Sequence, residues 1–182
     1  MRKQAACIAT ITSVFVLAIS MVGQTSRSTS ESGVFLARVA GVYKMQFQNG
    51  FVGGEKYQSE DILEVLPVDE HAAYVRMDIE FFNGHSGSIY GIATYGKNSL
   101  IYDNGKPGDE ACVVEYIWSA EKIVTKADYE KTPGCTYYHG ARGSLDRVEF
   151  LVKKKQTIHY MQRLRDSQQF KDAMDEYRKK RR

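Results

Sequence analysis

The sequence predicts an all-β, mainly antiparallel fold: an eight-stranded meander closing into a small barrel, followed by a C-terminal α-helix. Three observations predict it. Between residues 43 and 152, short apolar runs alternate with polar residues at a period of two. Turn residues (Gly, Asn, Asp, Pro) separate those runs at close spacing, with no helical run between them. From Lys155 onward Gly and Pro vanish and good helix formers dominate. A two-sheet sandwich shares the strand pattern; closure into a barrel is preferred because it removes exposed strand edges.

The chain opens with Arg2 and Lys3, then an uncharged, mostly apolar run from Ala5 to Val22, with small residues for cleavage after Ser20 or Gly23. This reads as a secretory signal over residues 1–23, and Thr10, Thr12 and Ser13 make it a poor permanent span. Export to the periplasm or the medium is the expectation. Residues 24–33 are polar and serine-rich, a flexible leader. The β-barrel-like domain is expected over 34–153 and a basic helical segment over 154–182. Cys112 and Cys135 are the two cysteines beyond the signal, and in an oxidising compartment they are expected to pair.

The elements follow in order. Tyr43, Met45 and Phe47 alternate with polar partners, and Asn49-Gly50 is expected to turn the chain. Ile62 to Val68 is the second strand, closed by Pro67 and Asp69. The third is the cleanest: Ala73, Val75, Met77, Ile79 and Phe81 alternate with Tyr74, Arg76, Asp78 and Glu80, one set facing the core and the other water. Asn83-Gly84 signals a hairpin, with Ser88 to Tyr95 returning. Further strands are expected at Leu100–Tyr102, Val113–Trp118, Ile123–Thr125 and Val148–Val152, with 103–109 a loop by composition. In the tail, Asp166 or Ser167 is a candidate N-cap. Phe170, Ala173, Met174 and Tyr177 then form one apolar stripe that should pack on the barrel wall or cover one mouth.

Charge is unevenly placed. Residues 24–152 carry 12 Lys/Arg against 18 Asp/Glu, a net of −6, whereas residues 153–182 carry 11 against 4, a net of +7. An acidic body would attract a cationic partner, and the basic tail suits an anionic envelope surface. Export argues against nucleic acid as a partner.

No catalytic signature is present: the four histidines occur in no H-E-x-x-H, and neither G-x-S-x-G nor a phosphate-binding glycine loop occurs. An enzyme is therefore not expected, nor a cofactor. A metal site from His85, His139 and Asp146 is conceivable on paper, but histidines in such loops more often bond the backbone. Binding is the remaining chemistry. The loop Phe82 to Tyr90 and the loop from Tyr137 to Asp146 combine tyrosine, histidine and arginine with small polar neighbours, the composition of a protein-contact patch. The candidate contact residues are His85, Ser86, Tyr90, Tyr138, His139 and Arg142. Gly140-Ala141-Arg142-Gly143 would present one guanidinium on a tight turn, either gathering an anion with backbone N–H groups or simply pairing with Asp146.

Gly54-Glu55-Lys56-Tyr57, Phe81-Phe82-Asn83-Gly84-His85, Gly91-Ile92-Ala93 and above all Gly140-Ala141-Arg142-Gly143-Ser144-Leu145 resemble small exported bacterial proteins grouped with periplasmic lysozyme inhibitors. The resemblance spans roughly residues 35–150. It implies a compact barrel-like domain that acts by protein–protein contact on a cationic lysozyme. Relatives carry cysteines where this chain has Gly87 and His139, which implies one lost disulfide, with Cys112–Cys135 retained and the two loops as neighbours. Two other readings stand beside it: a lipocalin-like carrier of a small apolar ligand, and an envelope structural protein.

Overall fold

The computed structural model describes residues 30–181. The signal expected over 1–23 lies outside them, as does most of the leader. Among the described residues no helix is long and apolar enough to cross a membrane.

Helix α1 (Glu31–Val39) precedes nine strands: β1 (Gly41–Gly50), β2 (Lys56–Pro67), β3 (Ala72–Glu80), β4 (Ser86–Gly96), β5 (Ser99–Asp103), β6 (Val113–Trp118), β7 (Lys122–Ala127), β8 (Glu149–Leu151) and β9 (Lys155–Gln156). Neighbours in sequence pair antiparallel from β1 to β8, and β9 returns to β1. The predicted all-β meander is thus present, as a nearly closed barrel. The last expected strand, Val148–Val152, is present as β8; the ninth, β9, follows a 3-10 turn at Val152–Lys154 and falls in the segment expected to be helical from residue 154, where helix begins only at Met161. β8 pairs with β7, and β9 meets β1 through Val42↔Gln156 and Tyr43↔Lys155.

The interior follows the alternation read from the sequence. Ala73, Val75, Met77 and Ile79 of β3 are buried with Leu63, Ile89, Leu100, Tyr116, Ile123 and Phe150. Three expectations need correction. Asn49-Gly50 does not turn the chain: β1 runs through Gly50, and the bend spans 51–55. Asn49 faces inward, where its amide donates to the Phe81 carbonyl at 2.9 Å and to Ser59 Oγ at 3.2 Å. The leader expected through Gly33 gives way to α1, whose N-cap Ser30 accepts the Gly33 N–H at 3.1 Å. Phe35, Leu36 and Val39 bury its inner face, a stripe too short to stand out from the serine-rich residues before it. The outward side of β3 is not all in water either, because the C-terminal helices cover Tyr74 completely and most of Arg76.

Those helices are α2 (Met161–Asp166) and α3 (Gln168–Lys180), separated at Ser167, whose hydroxyl caps α3 by accepting the Phe170 N–H. They lie on the outer wall. Phe170 meets the Tyr74 ring at 5.1 Å, and Leu164 and Ala173 bury beside Val42 and Leu66. Under α2, Glu64 is fully buried, 2.8 Å from Arg76 Nε, and accepts a short hydrogen bond from the Tyr160 hydroxyl. At the far end of α3, Asp69 accepts from the Tyr177 hydroxyl at 2.8 Å and from Arg181 at 2.6 Å.

Cys112 and Cys135 are bonded, with Cα atoms 4.5 Å apart. The bridge pins the 3-10 segment Pro133–Tyr138 to the start of β6, and Gly134 lies so close to the Glu110 backbone that a side chain there would collide with it. Replacing both cysteines by alanine should lower the unfolding free energy by about 3 kcal/mol, the chain-entropy value for such a loop, read from the denaturant midpoint.

Burial alone would raise the Asp69 carboxyl, but the His71 N–H, the Tyr177 hydroxyl and Arg181 outweigh it and hold the group below its ordinary 3.8. A depressed carboxylate stabilises the docked state above that value and loses this contribution as the pH falls through the folded value. Cleavage of α3 by an acid-active protease should accelerate below about pH 4, and Asp69→Asn should flatten that acceleration.

Candidate functional site

Because consecutive strands are antiparallel, the connections 51–55, 81–85, 104–112 and 128–148 all leave the sheet at the same end. Both loops singled out in the sequence lie there. Asn83 and Gly84 take left-handed backbone (φ 65° and 71°), as the Asn-Gly signal demands, and the Phe81 N–H donates to the His85 carbonyl at 2.7 Å to close the hairpin.

The loop 128–148 is built around the Tyr129 hydroxyl. It accepts the Leu145 N–H at 2.6 Å and lies 3.0 Å from His139 Nε2. His139 Nδ1 is 2.8 Å from the Gly140 carbonyl, so both ring nitrogens are engaged within the loop. Residues 140–143 form a tight turn, the Gly143 N–H donating to the Gly140 carbonyl at 2.8 Å. Gly143 is glycine for space: a Cβ would run into the Phe81 ring. Arg142 stands at the corner of this turn, exposed, and makes no ion pair among the described residues. Asp146 instead accepts the Ala127 N–H at 3.0 Å and lies 3.4 Å from Arg147. The pairing of Arg142 with Asp146 is therefore not made. Of the turn's N–H groups, those of Gly140 and Gly143 are already spent on the Ser86 and Gly140 carbonyls and are not free for an anion.

The two loops are joined directly. A β-bridge links Gly87 to His139, and the Gly140 N–H donates to the Ser86 carbonyl at 3.2 Å. His85 packs against Gly140, with Nδ1 3.2 Å from where a Cβ would stand. Tyr138 reaches inward, its hydroxyl 3.3 Å from that of Tyr102. Burial, together with the Tyr138 hydroxyl, holds the Tyr102 phenol protonated well above its ordinary range.

Five of the six predicted contact residues thus gather at one end: His85, Ser86, Tyr138, His139 and Arg142. Tyr90 does not. It follows inward-facing Ile89 on β4, so it points outward and joins Tyr74, Ile92 and Phe170 beneath the C-terminal helices. Of the five, Tyr138 and His139 are committed to internal contacts, leaving Ser86 and Arg142 the most open. No three His, Cys, Asp or Glu side chains converge on a metal position among the described residues, so His85, His139 and Asp146 do not assemble.

The largest exposed apolar groups at this end lie outside the six candidate contact residues, although Phe82 and Tyr137 belong to the two loops already named. Phe51 is 39% exposed, Val52 71%, Phe82 52% and Tyr137 75%. Phe51 stacks on Tyr57 at 4.5 Å, and the Tyr57 hydroxyl accepts the Gly84 N–H while donating to the Phe81 carbonyl, tying the 51–55 bend to the hairpin. A groove of about 380 Å³ opens between them, lined by Asn49, Phe51, Lys56 and Phe82. Phe82 was legible: if Phe81 faces the core, its neighbour must face out. Comparison with protein-family models, with curated proteins and with solved structures returns no match, so the reading of this end rests on its own chemistry.

The bridge between Gly87 and His139 has a measurable consequence. A Cβ on Gly87 would stand 3.0 Å from the His139 Cβ, so a separation of about half an ångström more reaches the lower end of disulfide spacing, roughly 3.5–4.5 Å. Gly87→Cys combined with His139→Cys should form a second bridge spontaneously on oxidation. The expected readout is loss of two alkylatable thiols and a raised melting temperature; two free thiols in the folded variant would contradict the packing of these loops.

Proposed function

We propose that the chain is an exported binding protein, of lysozyme-inhibitor type, that engages a protein partner through the loop end of its barrel. One observation carries the reading: Phe51, Val52 and Phe82 project from turns cross-braced by the Tyr57 hydroxyl and Asn49, and Tyr137 and Arg142 are exposed on the neighbouring loop. Large aromatic and arginine side chains on braced loops lose little freedom on binding, the property of residues that dominate interface energies. The −6 of residues 24–152 is offset by the +7 of the docked tail, so attraction of a cationic lysozyme would come from where the acidic groups stand and not from net charge. The adjacency of Gly87 and His139 fits the cysteine pair that the resemblance implies. Periplasmic or secreted location is supported by the signal-like N-terminal run and by the disulfide.

A carrier enclosing its ligand finds no support in the interior, where Tyr43, Tyr116, Phe150, Leu63, Met77 and Ile89 are all fully or almost fully buried against one another. Envelope contact through the tail keeps a foothold, because docking of α2 and α3 leaves Lys153, Lys154, Arg165, Lys171 and Lys179 exposed.

Lysozyme assays with and without the purified protein test the proposal. Inhibition of at least one muramidase class is expected, and Phe82→Ser with Arg142→Ala should weaken it by about tenfold or more without moving the melting temperature. Absence of inhibition of every class at micromolar excess removes the lysozyme reading; a partner captured from envelope extract by the parent chain but not by the variant would keep the contact surface and change the target.

A further inference from the structure

The opposite end of the barrel carries a second, unrelated site. There α1 seats Phe35 against Trp118 (5.5 Å, edge-on) and Tyr95 (5.2 Å), then stops where the chain enters β1. The last strand kinks at Val152–Lys154 instead of running on beneath α1. Between the end of α1, the Trp118–Ala120 turn and that kink lies a groove of about 510 Å³, inside the range of roughly 300–1,000 Å³ typical of small-molecule sites. Tyr43, Trp118 and Val152 give it apolar walls, Ala120 lies at its edge, and Arg38 and Lys155 stand over it. No acidic side chain lines it.

Both cations are held in place. The Arg38 guanidinium lies 5.3 Å from the Phe35 ring centre, and Lys155 Nζ donates to the Arg38 carbonyl at 2.7 Å. Neither makes an ion pair among the described residues. The C-terminus of α1 contributes about half a negative charge nearby, which offsets only part of two full positive ones. The wall also holds the buried Trp118 indole N–H, which faces the Tyr43 hydroxyl. Apolar walls with two fixed cations at the rim complement a molecule with an apolar chain and one anionic head.

The geometry points to this groove as a binding site for a free single-chain amphiphile bearing a carboxylate or phosphate. The site is independent of the loop end and of any partner bound there.

Trp118 is the chain's only tryptophan, so its emission reports on this groove alone. The full-length mature protein would be titrated with decanoate, decanol and decyltrimethylammonium, each below its micellar concentration, with sedimentation against phosphatidylglycerol vesicles as a separate arm. Decanoate should give a saturable emission change, with decanol and the cationic amphiphile binding about tenfold or more weakly. Arg38→Gln with Lys155→Gln should erase the preference for decanoate, Ala120→Phe should weaken all binding, and Lys126→Gln, away from the groove, should leave decanoate binding unchanged. Decanol binding as tightly as decanoate to the parent protein overturns the proposal without reliance on any variant. So do a silent decanoate titration, unchanged selectivity in the double variant, and vesicle sedimentation with no response to monomeric decanoate.

Discussion

Closure of the sheet is the constraint on which the rest depends. A meander of this length left open would present β1 and the last strand as free edges, with unpaired backbone groups along both. Here the final strand divides its pairing, three residues to β7 and two to β1, with one 3-10 turn between. That split fixes the circumference and so fills the interior with the inward residues of every strand. It also leaves the two ends chemically different. One end gathers four connections and becomes the loop surface. The other is stopped by α1, with a groove beside the kink where regular pairing lapses.

The loop end illustrates how a surface is made from interior bonds. Asn49 and Tyr57 are strand residues whose polar atoms reach the backbone of Phe81 and Gly84, so the 51–55 bend and the hairpin move as a unit. Tyr129 does the same for the longer loop, holding Leu145 and His139 at once. The exposed aromatics are the residue of this bracing: side chains left outside because the polar atoms around them are spoken for.

Alternation made the interior legible. The period of two in β3 named Val75, Met77 and Ile79 as core, and Asn83-Gly84 named its hairpin, because both follow from local backbone geometry. What failed depends on contacts distant in sequence. Nothing near Tyr74 or Tyr90 announces that a helix some ninety residues later will cover them, so both were assigned to water or to the loop surface. Asn49 was read as a turn residue, although its amide serves a carbonyl 32 positions away. Within the candidate site, the neighbourhood of the two loops was legible through the resemblance, whereas Phe51 and Val52 sit in a glycine-rich bend with no period to interpret. The groove beside Trp118 needs α1 and the broken last strand together, and neither was visible.

Glu64 carries a further consequence. Its carboxylate is buried beneath α2, satisfied by Arg76 from a neighbouring strand and by Tyr160 from the tail. The barrel's seam likewise waits for residues 155 and 156. A nascent chain therefore holds an unfinished wall and an uncovered ion pair until residues 155 to 160 have emerged. Neither the seam nor the buried carboxylate can be completed by the first eight strands alone, so the barrel gains its final stability from a segment about a hundred positions beyond the strands it closes over.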